Sequence, residues 1–227
     1  MIQIDDAGSG SLIGGTMIGA LRIEDMDYYY DLIPLKYFKS PHFEKKEYIK
    51  YSTKIVYDAL TYLKPDKDEP IEICRGYIFD HARPCLTRMG YNIIPAVIEN
   101  PLQDIVEREY FNYIISIGVP EDYLKYTRYP FHFHRLLKWV LADYTHRSQL
   151  CKTGWQSWKK YSNVHTISYT DYIYSGNYCC LKCGTGIDVP GKIKVVEFET
   201  NKRYFIYMHE NCQAKMQESK GTQSQGL

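Results

Sequence analysis

Apolar residues dominate positions 1–5 and 11–22, with Asp6-Ala7-Gly8-Ser9-Gly10 between them. That pattern predicts a strand, a tight glycine turn and a second strand. Met26 to Phe38 continues the β-rich pattern as a third strand, giving an antiparallel meander. From His42 to Leu63 the period changes. Tyr48, Ile49, Ser52, Ile55, Val56, Ala59, Leu60 and Leu63 recur at helical spacing, which predicts the first long helix. Pro70 to Gly76 then reads as a buried strand, Asp80 as a helix cap, Gly90 as the end of that short helix, and Tyr91 to Ile98 as another strand. Asn100-Pro101 opens a helix running to about Gly118, and Phe131 to Arg147 forms a further one after Pro120 and Pro130. Helices that alternate with the later strands require a parallel portion of sheet covered by helices, so the fold class is α/β.

Length and composition narrow the class. A chain of 227 residues accommodates one full-sized domain and a small appended module. The expected division is a main domain over 1–150, a packed linker over 151–178, a zinc module over 179–213 and a disordered tail over 214–227, where apolar residues nearly vanish. No apolar run approaches the ~20 residues that span a bilayer, so no membrane partner is expected. The first residues enter a strand pattern directly, without the basic start and apolar stretch of a secretory signal, and the expected location is cytoplasmic. A formal net charge of +1 selects no partner by itself. The 23 tyrosines, many beside Lys or Arg, read individually as semi-buried packing, with base stacking as the alternative.

Seven cysteines are an odd number for a disulfide framework, and four of them fall between 179 and 212. Cys74, Cys85 and Cys151 lie in apolar surroundings and read as small buried hydrophobes. Cys180-Leu181-Lys182-Cys183-Gly184 is a two-residue-spaced pair, and its glycine permits the turn that points both sulfurs inward. His209-Glu210-Asn211-Cys212 supplies a second pair after a strand pattern over 192–199, a turn at 200–202 and a second strand pattern over 203–208. The arrangement resembles a treble-clef zinc finger. Four protein ligands, Cys180, Cys183, His209 and Cys212, leave no open position, so the zinc is expected to be structural. Cys179 is the alternative to Cys180, although only Cys180 has the right spacing to Cys183.

Asp5 and Asp6 stand at the end of the first strand beside the glycine turn, where carboxylates can reach a metal ion. The segment Asp5-Asp6-Ala7-Gly8-Ser9-Gly10 resembles the Asp-Glu-Ala-Gly-Arg-Gly motif of type 2 ribonucleases H. Glu72, in Ile71-Glu72-Ile73 on the fourth strand, resembles the fourth-strand Glu of RuvC-type Holliday-junction resolvases. Both belong to the ribonuclease H-like superfamily. The resemblance implies a mixed five-stranded sheet with flanking helices, the first and fourth strands as neighbours, and a last carboxylate from a C-terminal helix, a role Asp143 matches by position. It further implies Mg²⁺ or Mn²⁺ ions about 3.5–4 Å apart, held by Asp5, Glu72 and Asp143 with Asp6 as a possible fourth ligand, and hydrolysis of RNA or DNA. His146, one turn after Asp143, would position water or a phosphate.

Nucleic acid is the expected partner. Lys125, Arg128, Arg135, Lys138, Arg147, Lys152, Lys159 and Lys160 are the basic residues of 125–160, where Asp143 is the only acid. Arg128, Arg135, Lys138, Arg147 and Lys152 are the candidates for phosphate contact. His132 and His134 read as capping or packing at a helix start, with metal binding as the alternative. Position 9 carries Ser where type 2 ribonucleases H carry Arg, and the paired acids usual on the last RuvC-type helix are missing. These departures leave open a non-catalytic module that binds nucleic acid or protein, as a homodimer or within a complex. Asp6 to Ser11 also resembles the first phosphate loop of actin-like and sugar-kinase ATPases, a third reading.

Overall fold

The structure is a computed structural model, and it describes residues 1–125, 127 and 129–212. Arg128 and the tail expectation for 214–227 lie outside the described residues.

The chain opens with β1 (Ile2–Ala7), β2 (Thr16–Arg22) and β3 (Asp27–Ile33), followed by α1 (Glu47–Leu63), β4 (Pro70–Cys74), α2 (Ala82–Arg88) and β5 (Asn92–Ala96). These strands form one five-stranded sheet in the order β3-β2-β1-β4-β5. β2 pairs antiparallel with β1 and β3, whereas β1, β4 and β5 pair in parallel. The sheet is therefore mixed, with β1 and β4 adjacent at its centre, the arrangement that the resemblance implies. The third strand is shorter than its apolar pattern, because Pro34 ends the ladder and Leu35–Phe38 turns into a 3-10 helix. β2 starts at Thr16, so residues 8–15 form a longer loop than a tight turn.

Strand parity sends alternate side chains to opposite faces. Ile2 and Ile4 of β1 and Ile71 and Ile73 of β4 are buried in one cluster with Ile55, Val56, Ala59 and Leu60 of α1. On the opposite face lies α3 (Leu102–Ser116), which packs on β1 and β2 and buries Leu102, Val106, Tyr110 and Ile114 at four-residue spacing. Gln3, Asp5 and Ala7 share the α3 face of β1.

Beyond α3 come α4 (Glu121–Lys125), α5 (Phe133–Ala142), α6 (Tyr144–Arg147) and α7 (Gln156–Tyr161). The single helix expected over 131–147 is broken at Asp143, whose non-helical backbone (φ −152°, ψ 65°) separates α5 from α6. The stretch expected as a linker also has a different role. β6 (Thr166–Ile173) pairs antiparallel with β9 (Gly191–Glu199), which pairs with β10 (Arg203–His209) around the 200–202 turn, forming a second sheet in the order β10-β9-β6. Two short strands, β7 (Tyr178–Cys179) and β8 (Gly186–Ile187), frame the cysteine turn. One buried cluster joins Ala7, Met17, Val106 and Tyr110 to Trp139 and Val140 and then to Cys180, Ile193, Phe198 and Ile206. The C-terminal sheet thus shares its core with the α3 face of the main sheet.

Candidate functional site

Two sites emerge from the sequence candidates. The first forms where β1 ends. Asp5 is buried (8% exposed) and Asp6 half-buried, and both line a cavity of about 700 Å³ with Cys74, Glu107, Tyr129 and His132. One ligand atom each from Asp5, Asp6 and Cys74 lie within 4.8 Å of one another. Burial is the main cause holding the Asp5 carboxyl above its usual range, and the Glu107 charge adds to it, while the Cys74 thiol donates a hydrogen bond that opposes it. Burial also pushes Asp6 up to about 6, with the Asp5 charge adding and the Ser9 hydroxyl and Lys152 opposing. Burial, together with Asp5 itself, pushes the Cys74 thiol up to about 12, so it stays protonated as a donor. Carboxylates crowded together in a desolvated cavity are the environment that a bound cation relieves.

The glycine turn behind these carboxylates is held from beneath. Gly8 takes the left-handed conformation (φ +86°) with the Tyr110 ring against its Cα, and the Tyr110 hydroxyl donates to the Ile13 carbonyl at 2.9 Å. Lys152 reaches under the turn, donating to the Gly8 carbonyl and, at 3.0 Å, to Thr16 Oγ1. Its backbone N–H bonds the Leu12 carbonyl at 2.8 Å. Burial lowers its ammonium to about 7, against the opposing charge of Asp6. Lys152 is 0% exposed, which corrects its assignment as a phosphate contact. The turn offers little to a phosphate either: the Ser9 amide bonds the Asp6 carboxylate and the Ser11 amide bonds the Gly8 carbonyl at 3.0 Å.

Glu72 and Asp143 do not line this cavity. Glu72 stands opposite Gln3 in the β1–β4 ladder and accepts a hydrogen bond from Gln3 Nε2 at 2.9 Å. It is two residues short of the strand end, about 7 Å along the strand, and Cys74 takes the place beside Asp5. Asp143 accepts from His146 Nδ1 at 2.9 Å, and both line a cleft beside the cysteine turn with Trp139, Arg147 and Cys183. The expected grouping of Asp5, Glu72 and Asp143 is therefore corrected, along with the role given to His146. The acid facing Asp5 is Glu107, on the helix that directly follows β5. Its sequence signal is its place beside the buried stripe of α3, next to Val106, a weaker signal than the lone acid Asp143 in a long basic stretch.

The second site is the cysteine–histidine cluster. Ligand atoms of Cys180, Cys183, His209 and Cys212 lie within 4.8 Å of one another, and this set can hold a metal ion such as zinc. Cys180 and Cys212 sulfurs are 3.6 Å apart, and Cys183 Sγ lies 3.4 Å from His209 Nδ1. His209 Nε2 is 3.0 Å from the Gly186 carbonyl. Since a carbonyl only accepts, Nε2 carries the proton and Nδ1 is left as the ligand nitrogen. Gly184 closes the turn at φ +81°, with its N–H 2.8 Å from the Cys180 carbonyl. Cys179 points elsewhere, its sulfur 3.5 Å from the Gly184 carbonyl, so the ambiguity between the two cysteines resolves to Cys180.

No protein-family model matches this chain, and no curated protein does.

The basic candidates divide. The Arg147 guanidinium bonds the carbonyls of Trp139 (2.7 Å), Leu181 (2.6 Å) and Lys182 (2.7 Å), tying α5 to the cysteine turn. Its role as a phosphate contact is corrected, because both of its terminal nitrogens donate inside the protein. Arg135 and Lys138 instead line a second cavity of about 290 Å³, with Tyr123, His134, Lys202 and Tyr204. His134 stacks flat on Tyr204 with ring centres 4.9 Å apart, and its Nε2 lies 3.0 Å from Thr200 Oγ1. It is thus a packing residue between α5 and the β9–β10 turn, while exposed His132 lines both cavities. Among the described residues no helix is long and apolar enough to cross a membrane.

Proposed function

We propose that this chain is a ribonuclease H-like, metal-dependent nuclease that hydrolyses phosphodiester bonds of RNA or DNA, with Asp5, Asp6 and Glu107 as the metal-holding carboxylates. The observation that carries the reading is the convergence of these three acids on one cavity at the end of the central strand. The strand order β3-β2-β1-β4-β5, with β2 opposed to its four companions, supports the superfamily resemblance.

The donor chemistry fits a hard cation. Carboxylate oxygens suit Mg²⁺ or Mn²⁺, and the protonated Cys74 thiol is a hydrogen-bond donor to Asp5 rather than a ligand. Bound there, such a cation supplies activation of water and stabilisation of the leaving oxygen. The chain's own residues do the positioning. Lys152 and Tyr110 fix the turn that aims Asp6, Cys74 orients Asp5, and His132 on the rim offers a ring nitrogen to a bound phosphate. We assign the Cys180, Cys183, His209 and Cys212 cluster to a structural zinc in a treble-clef-like hairpin module, whose net negative charge with zinc Arg147 offsets.

A non-catalytic nucleic-acid-binding module is the second reading, favoured by the thiol beside Asp5 and by the Lys152 charge facing Asp6. Cleavage of labelled RNA, DNA, hybrid and branched substrates with Mg²⁺ or Mn²⁺ separates the two. We expect Asp5→Asn and Glu107→Gln each to lower the rate by about a hundredfold or more, and Glu72→Gln to leave it within a few-fold. Cleavage that persists in Asp5→Asn, or its absence with every substrate in the wild type, refutes the catalytic reading.

A further inference from the structure

The smaller cavity lies between α4, α5 and the β9–β10 turn, and its chemistry is opposite to that of its neighbour. Arg135, Lys138 and Lys202 converge on it with His132 and His134, and among the described residues no carboxylate lines it. The Arg135 guanidinium lies over the Tyr123 ring at 4.0 Å, and its buried Nε has no hydrogen-bond partner among the described residues. Neither Arg135 nor Lys138 has an ion pair among the described residues. Both are half-buried. Burial and then the Arg135 charge bring the Lys138 ammonium down to about 8. Two cations that repel each other in a partly desolvated pocket, with no acid among the described residues to compensate, are costly unless an anion completes the site.

The two cavities adjoin, since Tyr129 and His132 line both. One extended anionic ligand can therefore occupy the basic pocket and reach the acidic one. Aromatic side chains line the path: Tyr129 is 62% exposed, and Phe131 and Phe133 line the acidic cavity. A phosphate-binding cation group beside ring faces suits unpaired bases that can stack, which a closed duplex does not present.

We infer that the pocket of Arg135, Lys138 and Lys202 is a phosphate subsite for single-stranded nucleic acid, holding a backbone phosphate next to the nucleotide that enters the Asp5–Asp6 cavity. The inference rests on the nucleic-acid part of the proposed function but not on its chemistry. Arg135 offers a planar fork to the phosphate oxygens, and Lys138 and Lys202 add point charges from the helix and the turn.

The test is fluorescence anisotropy of labelled single-stranded RNA and DNA oligonucleotides with the full chain carrying Asp5→Asn, without added Mg²⁺ or Mn²⁺, across a salt series. Lys138→Gln and Lys202→Gln are each expected to weaken binding about tenfold, the scale of a charged hydrogen bond. Each should also shallow the slope of log affinity against log salt by about 0.7, one single-strand phosphate contact. Inorganic phosphate should compete with the oligonucleotide in the parent and less in either variant. Lys202 is exposed in a turn, so its substitution leaves the fold intact. Unchanged affinity and salt slope in both variants, or tighter binding of duplex than of single strand, overturns the inference. Wild-type protein that binds as described but cleaves nothing refutes the catalytic reading and leaves the subsite standing.

Discussion

Arg147 shows how one side chain can join two parts of a fold. Its guanidinium donates to one carbonyl at the end of α5 and two in the cysteine turn, and it stacks over the Trp139 ring at 4.2 Å. Replacing it with alanine leaves three partly buried carbonyls without these donors, and unpaired carbonyls cost more than the net worth of the bonds themselves. We expect Arg147→Ala to destabilise the protein by about 3 kcal/mol and to weaken metal retention at the cysteine cluster, both read from denaturant melts with and without zinc. Arg147→Lys should recover only part of that loss, since one ammonium cannot bridge α5 and the turn with a planar fork. At this scale the sequence was a partial guide. Cysteine and histidine spacing picked out the four cluster residues because metal geometry demands close local pairs. Lys152 and Arg147 were misjudged for the opposite reason: a basic residue looks the same in sequence whether water or a carbonyl receives its protons.

Elements are where local pattern and long-range register part company. Strand and helix periods give the succession of elements along the chain but not their order in the sheet, which only the resemblance implies, and the α1 stripe appears with its buried residues almost as read. Register is a different matter, because which residue of β4 stands beside Asp5 depends on pairing that no local period encodes. A slip of two residues exchanges Glu72 for Cys74. The glycine turn carries a sharp prediction. A Cβ at Gly8 would lie 2.2 Å from the Tyr110 ring in a left-handed conformation (φ +86°), whereas one at Gly90 (φ +84°) meets nothing within 4 Å. Gly90→Ala should therefore cost about 1 kcal/mol for backbone strain alone, and Gly8→Ala about 2–4 kcal/mol with the added clash. Thermal melts of the two variants isolate the steric part. The contact of α5 with the β9–β10 turn should respond to pH. Burial first, then the charges of His132 and Lys202, hold the His134 imidazole below its ordinary 6.5. The folded state then binds fewer protons than the unfolded one, so stability present above pH 6.5 is lost as the pH falls through the lower folded value. The melting temperature should drop on acidification from pH 6.5, and His134→Gln should flatten that part of the profile.

The whole molecule is packed as one core rather than as a domain with a separate module. The sequence invites a division at about residue 150, since the chemistry changes there from carboxylates and helices to cysteines and hairpins. The packing ignores that division: Cys180, Ile193, Phe198 and Ile206 belong to the same buried cluster as Ala7, Met17, Val106 and Tyr110. The backbone does likewise, for Lys152 and Leu150 bond back to the loop between β1 and β2 through Leu12 and Gly14. Shared burial makes shared fate. A structural zinc contributes apparent binding energies of about 10–16 kcal/mol in small fingers, as large as the total stability of about 5–15 kcal/mol of an ordinary domain. Stripping the metal from the cysteine cluster should therefore propagate through Trp139 and α3 to the acidic end of β1. The measurement is native-state hydrogen exchange with and without a strong zinc chelator. We expect the amides of β1 and β2 to lose protection together with those of β9 and β10. Protection that collapses in β9 and β10 while β1 and β2 keep theirs would show that the cluster stabilises only its own hairpin.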